Sequence, residues 1–249
     1  MSNLNHIVIL TGAGISAESG IDTFRASSDG KGGGLWEKYP IEQVATPEGF
    51  AANPALVHHF YNMRRAALKT VKPNPAHFAL AELEKRLGAR GGSLTIITQN
   101  VDNLHEQGGA ENVIHMHGVL TSLLCQYCNH RWEWEDDTSP EDKCIACHRK
   151  GGPRPDIVWF GEMPYKLDAI DDAMQKADIF VSIGTSGAVY PAAGLVSEAR
   201  RRGTKTLELN LEESQGTRLF DESRLGKAGE IVPKWMAEVL DDKSFSVKE

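Results

Sequence analysis

Apolar positions along the chain fall into two alternating patterns. Short β-branched runs occupy His6–Leu10, Leu94–Thr98, Val113–His115, Ile179–Ile183 and Thr206–Leu209, and helical stretches occupy Pro54–Lys69, Pro75–Leu87, Leu167–Lys176, Pro191–Arg202 and Val232–Leu240. Asn53-Pro54 and Asn74-Pro75 mark two helix starts. Asparagine offers a side-chain oxygen to the first-turn amides, and proline is tolerated in that turn. The alternation predicts an α/β fold, a mostly parallel sheet covered by helices. One stretch breaks the pattern: Arg131-Trp132-Glu133-Trp134-Glu135 alternates with period two, as a half-buried ribbon strand does. Ser27–Gly34, SSDGKGGG, is too glycine-rich to hold one conformation unaided and reads as a mobile loop of the kind that serves as a lid.

Composition narrows the class without changing it. The 249 residues allow one large domain or a main domain with a small satellite, and 41% hydrophobic with 24% charged residues is ordinary globular usage. A formal net charge of −7 opposes a general grip on nucleic acid or anionic lipid. No apolar run reaches the ~18 residues of a membrane span, and the start MSNLNHIVIL lacks the basic flank and cleavage site of a signal peptide. The expectation is a cytoplasmic protein with neither nucleic acid nor membrane as partner.

The four cysteines form two pairs, Cys125/Cys128 and Cys144/Cys147, each C-x2-C, with fifteen residues between them. That spacing suits one tetrahedral zinc ion held by four thiolates. Two disulfides do not suit a chain without a secretory signal, and a redox C-x-x-C needs no second pair so close. Four sulfurs fill the coordination sphere, so the expected ion is structural.

The first strand runs into Thr11-Gly12-Ala13-Gly14-Ile15-Ser16-Ala17, a G-x-G-x-x-A turn between strand and helix. Glycines there let backbone approach a pyrophosphate at a helix N-terminus. A plain tight turn can carry the same pattern, and the acidic residue expected ~20 positions later in a dinucleotide dehydrogenase is missing, because that stretch is the glycine loop. Three further segments follow strands: Thr98-Gln99-Asn100-Val101-Asp102, Gly184-Thr185-Ser186 and Asn210-Leu211-Glu212. Together they place polar groups on the carboxyl edge of the sheet, where open α/β sheets bind ligands. Among nine histidines, His117 in Ile114-His115-Met116-His117-Gly118 has the chemistry of a general base, since imidazole accepts a proton near neutral pH, but a histidine beside a buried strand more often only satisfies a core hydrogen bond.

In this order, these segments, with Gly20-Ile21-Asp22-Thr23-Phe24-Arg25 and Phe160-Gly161-Glu162, resemble the sirtuins, NAD-dependent protein-lysine deacylases. The resemblance covers nearly the whole chain. Asp22 departs from it, standing where many sirtuins carry proline. It implies a Rossmann-like parallel sheet with helices on both faces, plus a smaller domain made of a helical insertion and a four-cysteine zinc ribbon. The Rossmann domain would comprise residues 1–30, 76–118 and 159–249, and the small domain 31–75 (helical) and 119–158 (ribbon), with NAD in the cleft between them. It further implies NAD contacts from Gly12, Ala13, Gly14, Ser16, Ala17, Asp22, Thr23, Phe24, Arg25, Gln99, Asn100, Val101, Asp102, Gly184, Thr185, Ser186, Asn210, Leu211, Glu212 and Ala228. Asn100 and Asp102 would line the nicotinamide end beside His117. The acyl oxygen of a modified lysine would attack the ribose carbon as nicotinamide leaves. His117 would then help deprotonate a ribose hydroxyl, and water would release lysine and O-acyl-ADP-ribose, so NAD is consumed.

Tyr61 and Arg64 are three apart on the candidate helix Pro54–Lys69, a spacing that puts both on one face. A guanidinium matches the two oxygens of a carboxylate, although a lone Y-x-x-R is more often a solvated helix face, and the pair resembles the sirtuin branch acting on succinyl- and malonyl-lysine. An extended peptide would bind between Val158, Phe160, Gly161 and Glu162 on one side and Val189 on the other, by backbone pairing. The resemblance leads to a monomeric deacylase for acetyl and acidic acyl groups. Protein ADP-ribosyl transfer, a nicotinamide-cofactor dehydrogenase and a non-catalytic zinc-ribbon module are the alternatives.

Overall fold

The computed structural model describes residues 4–21 and 35–241. The strands are β1 (His6–Thr11), β2 (Ser93–Thr98), β3 (Val113–His115), β4 (Gly118–Cys125), β5 (Arg131–Glu133), β6 (Pro153–Ile157), β7 (Ile179–Ile183), β8 (Lys205–Asn210) and β9 (Glu222–Leu225). The α-helices are α1 (Ala13–Ala17), α2 (Leu35–Lys38), α3 (Ile41–Val44), α4 (Pro47–Ala52), α5 (Pro54–Leu68), α6 (Pro75–Gly88), α7 (Leu104–Gln107), α8 (Leu167–Lys176), α9 (Leu195–Arg201) and α10 (Ala228–Asp241).

Six strands form a sheet in the order β3-β2-β1-β7-β8-β9, every neighbouring pair parallel. Counted within this sheet the order is 3-2-1-4-5-6, with its switch point between β1 and β7, the arrangement of dinucleotide-binding folds. Alternation along β1 divides the core. Ile7 and Ile9 pack with Leu80, Leu83 and Leu87 of α6 and Val232, Trp235 and Val239 of α10. Val8 and Leu10 face the other way, onto Ile170 and Met174 of α8 and Val196 and Ala199 of α9. Each fully buried aliphatic side chain contributes about 1.5–3 kcal/mol, so these two layers hold helices on both faces of the sheet.

A second sheet, β5-β4-β6, is antiparallel. Helices α3 to α5 pack over it through Val44, Phe50, Val57, Phe60 and Tyr61, against Leu120, Ile157 and Trp159. The asparagine caps expected before α5 and α6 are present: Asn53 accepts from the Leu56 amide and Asn74 from the Ala76 amide.

The structure differs from the sequence expectation in several elements. The helix expected over Pro191–Arg202 opens with a 3₁₀ turn at Ala192–Gly194 before α9. The last helix begins at Ala228, four residues early, with Pro233 inside it. That proline removes one backbone bond, which the burial of Val232 and Trp235 offsets. Strands β4, β6 and β9 were not expected. The loop Ser27–Gly34 lies outside the described residues.

Candidate active site

The turns after β1 and β7 interlock at the switch point. Gly12 N donates to Ile183 O at 3.0 Å and Gly14 N to Gly184 O at 2.9 Å. A Cβ on Gly12 or on Gly14 would lie 2.8 Å from backbone atoms of Gly184. Gly184 itself has φ +62, and a Cβ there would meet Ile15 N at 2.4 Å. The glycines are therefore required for the close approach of two turns, a reason additional to a pyrophosphate's needs. Asn210 Nδ2 ties the turn after β8 to the same place, donating to Thr185 O at 2.8 Å.

The third edge segment joins by side chains. Asn100 Nδ2 donates to Gly12 O and to Ser16 Oγ, both at 3.1 Å, which engages both amide hydrogens. Ser16 Oγ donates to Asp102 Oδ2 at 3.1 Å, and Asp102 Oδ1 accepts from Leu104 N at 3.1 Å. Asp102 is buried. Burial pushes its carboxyl up, against the pull of the Leu104 amide, the Ser16 hydroxyl, His115 and Arg64. One connected group thus contains Gly12, Gly14, Ser16, Asn100, Asp102, Gly184, Thr185 and Asn210.

His117 is half-buried, and its Nδ1 lies 3.2 Å from Gln99 O. A carbonyl only accepts, so Nδ1 carries the proton and Nε2 keeps a lone pair. Burial lowers the ring's proton affinity, against the Gln99 carbonyl. The next residue explains why the motif ends in glycine. Gly118 has φ +80, and a Cβ there would sit 1.9 Å from Asp156 O. His115 is occupied elsewhere, its Nε2 2.5 Å from Glu106 Oε1.

Val158 N donates to His117 O at 3.0 Å, and Phe160 N to Ala45 O at 2.9 Å, so the segment Val158–Glu162 is pinned beside His117. Phe160 is 46% exposed. Trp159 is buried and donates from Nε1 to Tyr61 Oη at 2.9 Å. Glu162 accepts from both terminal nitrogens of Arg154 and from Trp159 N, and the Arg154 guanidinium lies 3.8 Å over the Trp159 ring. Tyr61 is 1% exposed, and burial pushes its phenol up to about 12. Arg64 is half-buried, 5.7 Å over the Phe60 ring, and burial lowers its proton affinity, against the charges of Tyr61 and Asp102.

Other expected residues occupy varied surroundings. Ala13, Gly161 and Val189 are half-buried or exposed, Ala17, Ser186, Leu211 and Glu212 are exposed, and Ala228 is buried at the start of α10. Val101 is buried in the core of the small sheet and its helices. Asp22, Thr23, Phe24 and Arg25 lie outside the described residues. Residues not anticipated from sequence are Arg154, which braces Glu162, and the buried polar set Thr11, Thr98 and His105. Thr11 and Thr98 end adjacent strands in register, a signal visible as two apolar runs each closing on threonine.

The four cysteine sulfurs lie within 4.8 Å of one another. The pairs Cys125/Cys147 and Cys128/Cys144 are each 3.7 Å apart, far from the ~2.05 Å of a disulfide. They match the edge of about 3.8 Å of a tetrahedron with metal–sulfur bonds of about 2.3 Å. Asn129 and His148, each following a C-x2-C, have φ of 58 and 59, and the amides of Tyr127 and Ala146 point at Cys125 and Cys144 sulfurs, 3.4 Å each. The donor set fits a zinc ion.

The sequence profile of the Sir2 family matches residues 12–191. The chain belongs to the Sir2 family. Two similar proteins are named NAD-dependent protein deacylase: one of Caulobacter vibrioides, 52% identical over 96% of this chain and 99% of its own, and one of Pasteurella multocida, 54% identical over 96% of this chain and all of its own. Among solved structures, a Sir2 homologue in complex with NAD is 40% identical with a TM-score of 0.84, covering 98% of this chain and 91% of that one. A Sir2 protein bound to acetylated peptide is 30% identical with a TM-score of 0.77, covering 94% and 93%. This Sir2 chain shares the fold along almost its whole length. Among the described residues no helix is long and apolar enough to cross a membrane.

Proposed function

We propose that this chain is an NAD-dependent protein-lysine deacylase that removes acetyl groups and also succinyl or malonyl groups, acting in the cytoplasm on extended peptide segments. The observation that carries the reading is His117: its Nδ1 is fixed by the carbonyl of Gln99, whose amide in turn bonds Thr11 O at the start of the glycine turn, which leaves Nε2 as an acceptor on the residue whose own carbonyl pairs with Val158 N. The NAD complexes and the acetyl-peptide complex among similar Sir2 structures support the two ligands.

When bound, NAD supplies a ribose carbon from which nicotinamide departs. The chain's own groups do the rest. Gly12, Gly14 and Gly184 form a floor with no side chains between dinucleotide and sheet, and Ser186, Asn210 and their turns hold the adenosine half. Asp102 accepts from the nicotinamide carboxamide, while Asn100, held by Gly12 O and Ser16 Oγ, orients the same end. His117 Nε2 takes the proton of a ribose hydroxyl, help worth ~10²–10⁴ in rate. Val158, Phe160 and Gly161 form one edge for the peptide, Val189 the other, and Arg64 with Tyr61 receives the carboxylate of an acidic acyl group. Glu162 acts by holding that edge through Arg154. Residues 1–30, 76–118 and 159–249 form the nucleotide domain, with 31–75 and 119–158 as its smaller companion.

Mass spectrometry of the chain with NAD and matched acetyl- and succinyl-lysine peptides tests the reading. The expected products are nicotinamide, free lysine peptide and O-acyl-ADP-ribose from both peptides. Peptide-independent loss of nicotinamide, or intact acyl peptides, would refute it.

A further inference from the structure

Beneath the candidate nicotinamide loop lie two histidines that the proposed reaction does not use. His77 and His105 are 0% and 1% exposed, with ring centroids 5.0 Å apart and planes at 61°. Each has one buried nitrogen without a hydrogen-bond partner among the described residues: Nε2 of His77 and Nδ1 of His105. Burial of such a group without a partner costs ~1–3 kcal/mol, so two orphans side by side call for an explanation.

The hydrogen bonds around them fix both tautomers. Asn74 N donates to His77 Nδ1 at 3.2 Å, so that nitrogen is an acceptor and the neutral ring carries its proton on Nε2. At the other end, the Thr11 hydroxyl donates to Thr98 Oγ1 at 2.9 Å, and Asn100 N donates to the same oxygen at 3.0 Å. The Thr11 proton is thereby used, so the 3.0 Å contact between Thr11 Oγ1 and His105 Nε2 is donated by His105, whose Nδ1 is then the acceptor. The orphan of His77 is a donor and the orphan of His105 an acceptor.

We propose that His77 Nε2–H donates to His105 Nδ1, completing a buried line whose donors all point from the cap of α6 through His105 and Thr11 to Thr98 Oγ1, the oxygen that also accepts from Asn100 N, so that His77 and His105 position the loop at the nicotinamide end of the site. The ring separation suits a nitrogen-to-nitrogen contact of about 3 Å after a small rotation. Burial is the leading cause that keeps both rings neutral, with His77 lowered to about 4 and His105 held well below the usual histidine value. A neutral ring is what each link requires, since an imidazolium accepts nothing. Reversing either histidine link places two donors face to face, between the two rings or at Asn74 N.

The positioning role rests on the deacylase reading, but the hydrogen-bond line can be tested without turnover. In the full chain with ¹⁵N-labelled histidine at pH 7, two-bond proton–nitrogen correlation should show both rings as Nε2–H tautomers, each with a slowly exchanging ring proton. An Nδ1–H tautomer or an imidazolium at either position would overturn the proposal whatever the enzyme's activity. In kinetics, His77→Phe should lower kcat/KM for NAD about two- to tenfold, the worth of one hydrogen bond, with KM for acyl peptide unchanged. His77→Gln, which restores a donor, should recover most of that loss. Equal losses in the two variants, or a shift in peptide KM alone, would leave the residues structural only and defeat the positioning role.

Discussion

At the scale of single residues, the site depends on which lone pairs and protons remain available. His117 has its Nδ1 proton occupied by Gln99 O and its proton affinity lowered mainly by burial. Because the charged form is the one disfavoured, the base form persists to a lower pH than in a free histidine. The acid limb of kcat/KM, measured from nicotinamide release, should therefore break below pH ~6.5. His117→Ala should still bind NAD by calorimetry yet lose at least a hundredfold in turnover; near-normal turnover would remove it from the base role. For Arg64→Met, loss of a bond to a charged group predicts desuccinylation reduced roughly ten- to a hundredfold with deacetylation spared, read as kcat/KM on paired peptides. Gly118→Ala tests the backbone instead. With φ +80 and a Cβ position 1.9 Å from Asp156 O, the variant should lose ~2 kcal/mol or more in urea unfolding.

Elements reveal which parts of this architecture a sequence can and cannot disclose. The five strands anticipated from β-branched runs are all present in the large sheet, and in the four inner ones burial on both faces leaves an unmistakable apolar run. The sixth, Glu222–Leu225, was invisible: an edge strand with mostly exposed side chains carries no such run. Pro153–Ile157 was hidden by its two prolines, which normally argue against a strand. It nevertheless pairs with Gly118–Cys125, with Pro155 opposite Leu123 and Pro153 opposite Cys125, and among the described residues no further strand lies on its outer side. The site divides in the same way. The cysteines announce themselves by spacing, and the glycine turn and His117 through the sirtuin resemblance, whereas the line from His77 to Thr98 depends on proton placement that only packing reveals. The ribbon makes an element-scale test. A chelator strong enough to strip zinc should expose Cys125, Cys128, Cys144 and Cys147 to thiol reagents and raise hydrogen exchange in β4, β5 and β6, while β1, β2 and β7 stay protected.

For the whole molecule, buried neutral histidines set an acid limit. Burial lowers both His58 and His77 to about 4. In the unfolded chain each would take up a proton near 6.5, while the folded chain refuses it until about 4. Stability is therefore fully present above pH ~6.5 and is lost as pH falls toward 4. For His77 alone the loss amounts to roughly 3 kcal/mol. Urea midpoints should fall steadily between pH 7 and pH 5, and a flat profile would show that these rings are already charged in the fold.

The path of the chain through its two sheets has a consequence for descent and for engineering. Helices α2 to α5 leave after β1 and its short helix and rejoin at α6; strands β4 to β6 leave after β3 and rejoin ahead of α8. Both detours depart from the same rim of the large sheet, and among the described residues neither adds a strand to it. Either can lengthen, shorten or be transplanted from a cousin while hydrogen-bonded registration below stays as it was. On the proposed reading, the acyl end of recognition at Tyr61 and Arg64 can thus drift apart from the floor that holds the dinucleotide, as interchangeable heads on one handle.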